Sequence, residues 1–189
     1  GQSGEYAVAG YGVGTRIEQV VLLPILGINT AIISIIAQNY GANNIYRIKE
    51  TYFTAIKYAF LIMITAGALV FLSASVITSF FSNDPEVIEY GKRYLKISAF
   101  VLPAYPVFFL SNGCFMALKK SENAMISNFF RNVLNPIVVF YIAKHIGASF
   151  ETFFWIWVCI NWFFSISYFF VIIYYFKVKL NKSGAVVHP

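Results

Sequence analysis

Residues 9–44 read AGYGVGTRIEQVVLLPILGINTAIISIIAQNYGANN, and this stretch constrains the fold more than any other. A Gly-rich approach leads into a long apolar helix pattern that carries Pro24 and Gly27 and ends at QNYGA. A helix crossing ~30 Å of hydrocarbon needs ~20 mostly apolar residues. This segment meets that requirement while holding Arg16 and Glu18 inside it. Ionisable groups in lipid are costly, and by default they mark a pathway or a coupling site.

Four more segments have the same length and character, so membrane helices are expected over about 15–38, 55–81, 94–118, 124–143 and 152–176. Breaks are expected where turn residues and charges cluster, at 41–44, 82–85, 119–123 and 145–149. Residues 1–5 read as a loop, and without an initiator Met or signal peptide the chain reads as a fragment. Asp84-Pro85-Glu86 is a helix start: Asp84 caps free N–H groups, Pro85 suits the first turn, and Glu86 favours the positive dipole end. The third helix therefore begins at the membrane surface with an amphipathic first part (Glu86, Glu89, Lys92, Arg93, Lys96).

Composition excludes a soluble domain, which would carry about a quarter charged residues. Here 12% are charged and 59% hydrophobic, with a mean hydropathy of +0.68. The net charge of +6 does not imply nucleic acid, because the basic residues sit in short clusters between apolar runs. Counting Lys and Arg gives eight on one side (Arg47, Lys49, Lys57, Lys119, Lys120, Lys177, Lys179, Lys182) against four on the other (Lys92, Arg93, Lys96, Lys144). By the positive-inside rule the first and third connections and the C-terminus are cytoplasmic, as in a multi-pass plasma-membrane protein. Trp155 and Trp157 suit an interfacial aromatic belt or ordinary packing. Cys114 and Cys159 both lie in apolar runs and read as small core residues.

On the first helix a 3.6-residue period picks out Gly12, Arg16, Gln19, Leu23, Gly27, Thr30, Ser34 and Gln38. Such a small and polar stripe belongs in a bundle interior or against a watery cavity, not against lipid. Arg16, Gln19 and Thr30 are thus cavity candidates. Pro24 removes a backbone hydrogen bond and with Gly27 makes a kink, which is a transport hinge or a static bend. Glu18 is the sole carboxylate well inside an expected span. It is a cation or proton site, or else a group at the outer interface, solvated or paired with a neighbouring helix. Asn29 shares its face, three turns deeper, whereas Arg16 does not.

The fourth helix carries Asn128, Arg131, Asn132 and Asn135 on one face, followed by Pro136. Arg131 cannot lose its proton, so it is a structural clamp with Asn128 and Asn135, or it snorkels to the inner interface. The third helix offers Ser98, Tyr105, Phe109, Asn112 and Met116 on one face beside Pro103 and Pro106; the fifth offers Asn161, Ser165 and Tyr168. Aromatic walls suit flat, apolar, often cationic ligands, with Tyr105 and Asn112 the best candidates, although aromatic stripes in membrane helices are more often packing. There is no nucleophile–base pair, phosphate loop or metal motif, and nothing argues for catalysis or a cofactor.

These residues resemble the MATE family of multidrug and toxin extrusion transporters. The likeness lies in Arg-Ile-Glu at 16–18, Pro24-x-x-Gly27, and above all QNYGA at 38–42 followed by Arg47, which together are similar to the family's eighth transmembrane segment. Residues 82–86 with Tyr94-Leu95 are similar to the turn before the tenth, and Ser127-x-x-x-Arg131 with Pro136 to the eleventh. The resemblance implies an all-α polytopic bundle: residues 1–189 as five transmembrane helices, segments eight to twelve, of a six-helix lobe. Its partners would be the lipid bilayer, the missing N-terminal lobe and seventh helix, and a small amphiphilic or cationic substrate. The family exports such substrates by alternating access in exchange for Na+ or H+. No acidic residue lies in the third helix beyond its surface turn, so coupling would rest on the missing lobe or on Glu18. A lipid-linked oligosaccharide flippase of the same superfamily is the runner-up, disfavoured because only Arg16 and Arg131 would serve its anionic head group. A non-transporting remnant or scaffold is the alternative of another class.

Overall fold

The computed structural model describes residues 2–180. Every regular element among them is helical. In order they are α1 (Gln2–Gly41), α2 (Ile45–Ser79), α3 (Pro85–Ser98), a 3-10 turn (Leu102–Ala104), α4 (Tyr105–Ala117), α5 (Ser121–Phe129), a π turn (Phe130–Leu134), α6 (Asn135–Ile146), α7 (Phe150–Tyr175) and a second π turn (Phe176–Leu180). Local chemistry sets the connections. Asn44 caps α2 by accepting from the Arg47 N–H at 3.1 Å, after Asn43 turns through φ 54°. Asp84 caps α3 through the Glu86 N–H at 2.9 Å, with Pro85 in the first turn as expected. Gly147, at φ 62°, stops α6, and Ser149 caps α7.

Three helices, at 4–41, 45–79 and 150–178, are long and apolar enough to span a membrane on their own. A fourth span is the pair α3 and α4, bent by 41° between them. The run from α5 to α6 is helical throughout but less apolar, because Asn128, Arg131, Asn132 and Asn135 interrupt it. The molecule is an all-α membrane helical bundle.

Several expectations need correction. Residues 2–5 are helical rather than a loop, and α1 starts well before residue 15. Its length is about 60 Å at 1.5 Å per residue, so Glu18 lies far from its outer end. The reason is packing: a Cβ on Gly10 would meet the Gly91 N at 2.8 Å, and one on Gly14 would meet the Tyr94 ring at 2.2 Å. Two glycines four residues apart let α1 press against α3, a common device where no hydrophobic effect drives helices together.

The third helix starts at Pro85 as expected but is not straight. Pro103 and Pro106 cannot donate to the preceding turn, so the chain tightens to 3-10 bonds, with the Ala104 N–H taken by the Val101 carbonyl at 2.9 Å. The Phe100 carbonyl, deprived of that donor, accepts instead from the Trp162 indole N–H at 2.9 Å. Gly67 of α2 packs here too, since a Cβ on it would meet the Ala99 carbonyl oxygen at 2.8 Å. The fourth helix, expected as one segment, is divided by its π turn just ahead of Pro136. Finally, Cys114 is buried as expected, but Cys159 is exposed.

The core lies where α1, α2, α3, α4 and α7 meet. Paired positions 10 with 91, 14 with 94 and 29 with 113 show that α1 and the α3–α4 pair run side by side in the same direction. The α3–α4 bend therefore falls level with the middle of α1. Buried Tyr52 on α2 and Ser111 on α4 tie their helices through a 2.7 Å hydroxyl contact. Lys182, one of the charges counted for orientation, lies outside the described residues.

Candidate functional site

Glu18 is buried, and its carboxylate accepts hydrogen bonds from the hydroxyls of Tyr94 on α3 and Tyr105 on α4. Those tyrosines flank the bend, so the break in the third helix is what brings both hydroxyls to one carboxylate. Gly14, one turn before Glu18, leaves the room in which the Tyr94 ring lies. Of the two outer-interface alternatives, the carboxylate is not solvated; it is paired with neighbouring helices inside the bundle. A carboxylate in such surroundings needs partners, because stripping its water is expensive.

Arg131 supplies the nearby cation. It lies in the π turn and stacks its guanidinium over three rings of α4, at 4.3 Å from Phe108, 4.9 Å from Tyr105 and 5.0 Å from Phe109. Stacking of this kind contributes about 0.5–2 kcal/mol per ring. Among the described residues no ion pair within 4.0 Å involves Glu18 or Arg131. Tyr105 stands between them, with its hydroxyl on Glu18 and its ring against Arg131. Arg131 thus faces α4.

Buried amide oxygens lie on the same helices. The side-chain carbonyls of Asn29, Asn112 and Asn135 are enclosed without a hydrogen-bond partner. Asn29 presses its oxygen toward Gly113, where a Cβ would stand 2.1 Å from it. Asn128 and Arg131 are half-buried, while Asn132 faces outward. Beside Tyr94, a cavity of about 600 Å3 opens between Tyr11, Tyr94, Pro136, Val139, Phe154 and Trp157.

The stripe on α1 lies elsewhere. Arg16, Gln19, Gly27, Thr30, Ser34 and Gln38 are all exposed, on the face opposite Glu18. The bundle-interior reading of this stripe is not what the structure has. Pro24 and Gly27 are exposed as well, and α1 runs through them without a break. Met116 and Trp155 face outward, whereas Asn161, Ser165 and Tyr168 are buried on α7. Sequence reasoning missed Tyr94 and Phe108. Their only signal was that a buried carboxylate requires donors and a buried guanidinium requires rings.

The family model of MatE matches residues 1–142. The chain belongs to the MatE family. This is a family of membrane transporters, and curated relatives include multidrug efflux proteins. The chain is 26% identical over 142 residues to a FAD transporter of Shewanella oneidensis, covering 75% of the chain and 31% of that protein. It is 24% identical over 138 residues to the probable multidrug resistance protein YpnP of Bacillus subtilis, covering 73% and 30%. It is 26% identical over 146 residues to the multidrug export protein MepA of Staphylococcus haemolyticus, covering 77% and 32%. Among solved structures, a MATE protein in complex with MaL6 superposes with a TM-score of 0.89 at 23% identity, covering 95% of this chain and 40% of that one. An outward-facing MATE family transporter superposes with a TM-score of 0.85 at 24% identity, covering 95% and 40%. The chain spans about a third of the length of the curated MatE relatives it matches.

Proposed function

We propose that this chain is one lobe of a cation-coupled exporter of amphiphilic or cationic small molecules, working by alternating access against a second lobe, with Glu18 as its coupling group. The observation that carries the reading is Glu18 itself: a buried carboxylate, inside a membrane bundle, held by two tyrosine hydroxyls at a helix bend. Both H+ and Na+ suit such a group, the first by neutralising the carboxylate and the second by direct coordination. Loading or unloading it changes what the Tyr94 and Tyr105 hydroxyls hold, and through them the two sides of the bend.

The exposed polar stripe on α1 supports the second part of the reading. Arg16, Gln19 and Thr30 face away from the bundle, and lipid would not reward them there. Opposed to a second lobe they become the wall of a shared aqueous cavity. Gly27 on that face, with Pro24 beside it, is where α1 would flex. The Lys and Arg distribution supports a cytoplasmic C-terminus. A flippase for an anionic head group fits less well, because Arg131 is engaged by aromatic rings and Arg16 is left as the cation of the stripe.

The test is Glu18→Gln in the full-length transporter reconstituted in vesicles. Export should lose its dependence on the driving ion gradient. Normal expression with an unchanged pH and Na+ dependence would refute the coupling role.

A further inference from the structure

A second cavity, of about 660 Å3, lies away from Glu18, between α2, the bend of the third helix and α7. On α2 it is lined by Phe60, Ile64, Ala68 and Phe71, which fall on one helix face. Phe100 and Pro103 line it from the bend, and Trp155 and Trp162 from α7. The indole N–H of Trp162 is already given to the Phe100 carbonyl at 2.9 Å. Gly67 lies in the same lining and has no side chain to fill it. Ile64, Phe71, Phe100 and Trp155 all stay exposed. The groove is therefore apolar along its walls and open to whatever surrounds the bundle.

Its length and its charge say what fits there. From Phe60 to Phe71 the groove follows α2 for about 17 Å at 1.5 Å per residue. That is close to one leaflet of hydrocarbon, about 15 Å, half of a ~30 Å core. Its Phe71 end points to the α2–α3 connection, since α2 ends eight residues later at Ser79. Lys96, half-buried on α3, stands at that end with its ammonium 5.4 Å from the centre of the Phe71 ring. The neighbouring cations of α3 have acid partners: Lys92 and Arg93 each meet Glu89 at 3.0 Å, and Arg93 meets Glu151 at 3.4 Å. Among the described residues Lys96 has no carboxylate within 4.0 Å.

We propose that this groove holds an acyl chain of an anionic phospholipid, with the lipid's phosphate on Lys96. Inside a bilayer no hydrophobic effect drives the chain into the groove, so close contact with the concave walls holds it. Lys96 then selects the headgroup, as basic residues near a membrane surface do. A helix of a second copy would cover the same walls, but an anion at the Lys96 end is what a leaflet supplies at headgroup depth. Phe100 and Pro103 belong to the bend that brings Tyr94 and Tyr105 to Glu18, so a chain seated here props that break. The proposal needs the membrane bundle and does not rest on the exporter reading.

The experiment is native mass spectrometry of the full-length protein in detergent, titrated with phosphatidylglycerol or with phosphatidylcholine of the same acyl chains. Lys96→Gln should bind phosphatidylglycerol about fivefold more weakly, the worth of one cation near a membrane surface, with phosphatidylcholine unchanged. Lys96→Arg should keep the preference. Ala68→Trp, which fills the groove from an exposed position of α2, should lose one bound molecule of either lipid. Phosphatidylglycerol should raise the unfolding temperature of the unsubstituted protein more than that of Ala68→Trp. Unchanged phosphatidylglycerol binding in both Lys96→Gln and Ala68→Trp overturns the proposal. So does a dimer that Ala68→Trp dissociates without any loss of lipid, which would give the groove to a second copy.

Discussion

Tyr105 donates its hydroxyl hydrogen to a carboxylate oxygen of Glu18 across 87 positions of sequence, and the ring of the same tyrosine carries the Arg131 guanidinium on its face. One residue thus separates and serves both buried charges. Tyr105→Phe keeps the ring and removes the bond. It should destabilise the folded protein by about 1.5–3 kcal/mol, the usual worth of a hydrogen bond to a charged group. Thermal unfolding in detergent reads this out. In Glu18→Gln the same substitution should cost much less, and additive effects in that double-mutant cycle would contradict the direct bond.

Gly14 and Gly12 make a matched pair. A Cβ at Gly14 would stand 2.2 Å from the Tyr94 ring, whereas one at Gly12 would meet nothing within 4 Å. Gly14→Val should displace Tyr94 from Glu18 and cost about 1–3 kcal/mol or more. Gly12→Ala should be neutral or stabilise by up to about 1 kcal/mol, because alanine is the better helix former. Loss of melting temperature in both variants alike would show that α1 and α3 do not meet along this line.

The bend between α3 and α4 has its own test. Trp162→Phe leaves the Phe100 carbonyl without its indole donor and should lower stability by about 1 kcal/mol. Gly67→Val drives a side chain into the Ala99 carbonyl, which stands 2.8 Å from the new Cβ, and should be the more damaging of the two. The order of their melting temperatures checks the assignment.

Asn112 is held against the rules of a well-packed core, with its carbonyl oxygen unpaired. Asn112→Leu removes that unmet acceptor at similar size, so stability should hold or rise. Export by the full-length transporter should fall if Asn112 lines its substrate path. A loss of stability with transport intact would reverse the sense in which this residue is read.

Much of this was legible locally. Asp84, Pro85, Asn44 and the 145–149 turn mark their helix boundaries because capping is a matter of neighbours along the chain. The polar faces of helices carrying Glu18 with Asn29, and Arg131 with Asn135, follow from the 3.6-residue period. The Gly-rich start of α1 misled because glycine serves both loops and close helix crossings, and only the partner helix decides which. That error moved the apparent helix start to residue 15 and left Glu18 only about a turn from the helix end, whereas it lies several turns in and is buried. Tyr94 was out of reach for a related reason: its role depends on a 41° bend and on the space left by Gly14, neither of which its own neighbours announce. The polar stripe was found, but periodicity gives the width of a face and not what lies opposite.

That stripe and the buried face of Glu18 lie back to back on α1, and with the proposed second lobe in place they would leave lipid two narrow flanks, such as Leu26 with Ile33 and Ala31 with Ile35. The helix is a party wall between two rooms, and a scan of every position along it should find tolerance only in those seams.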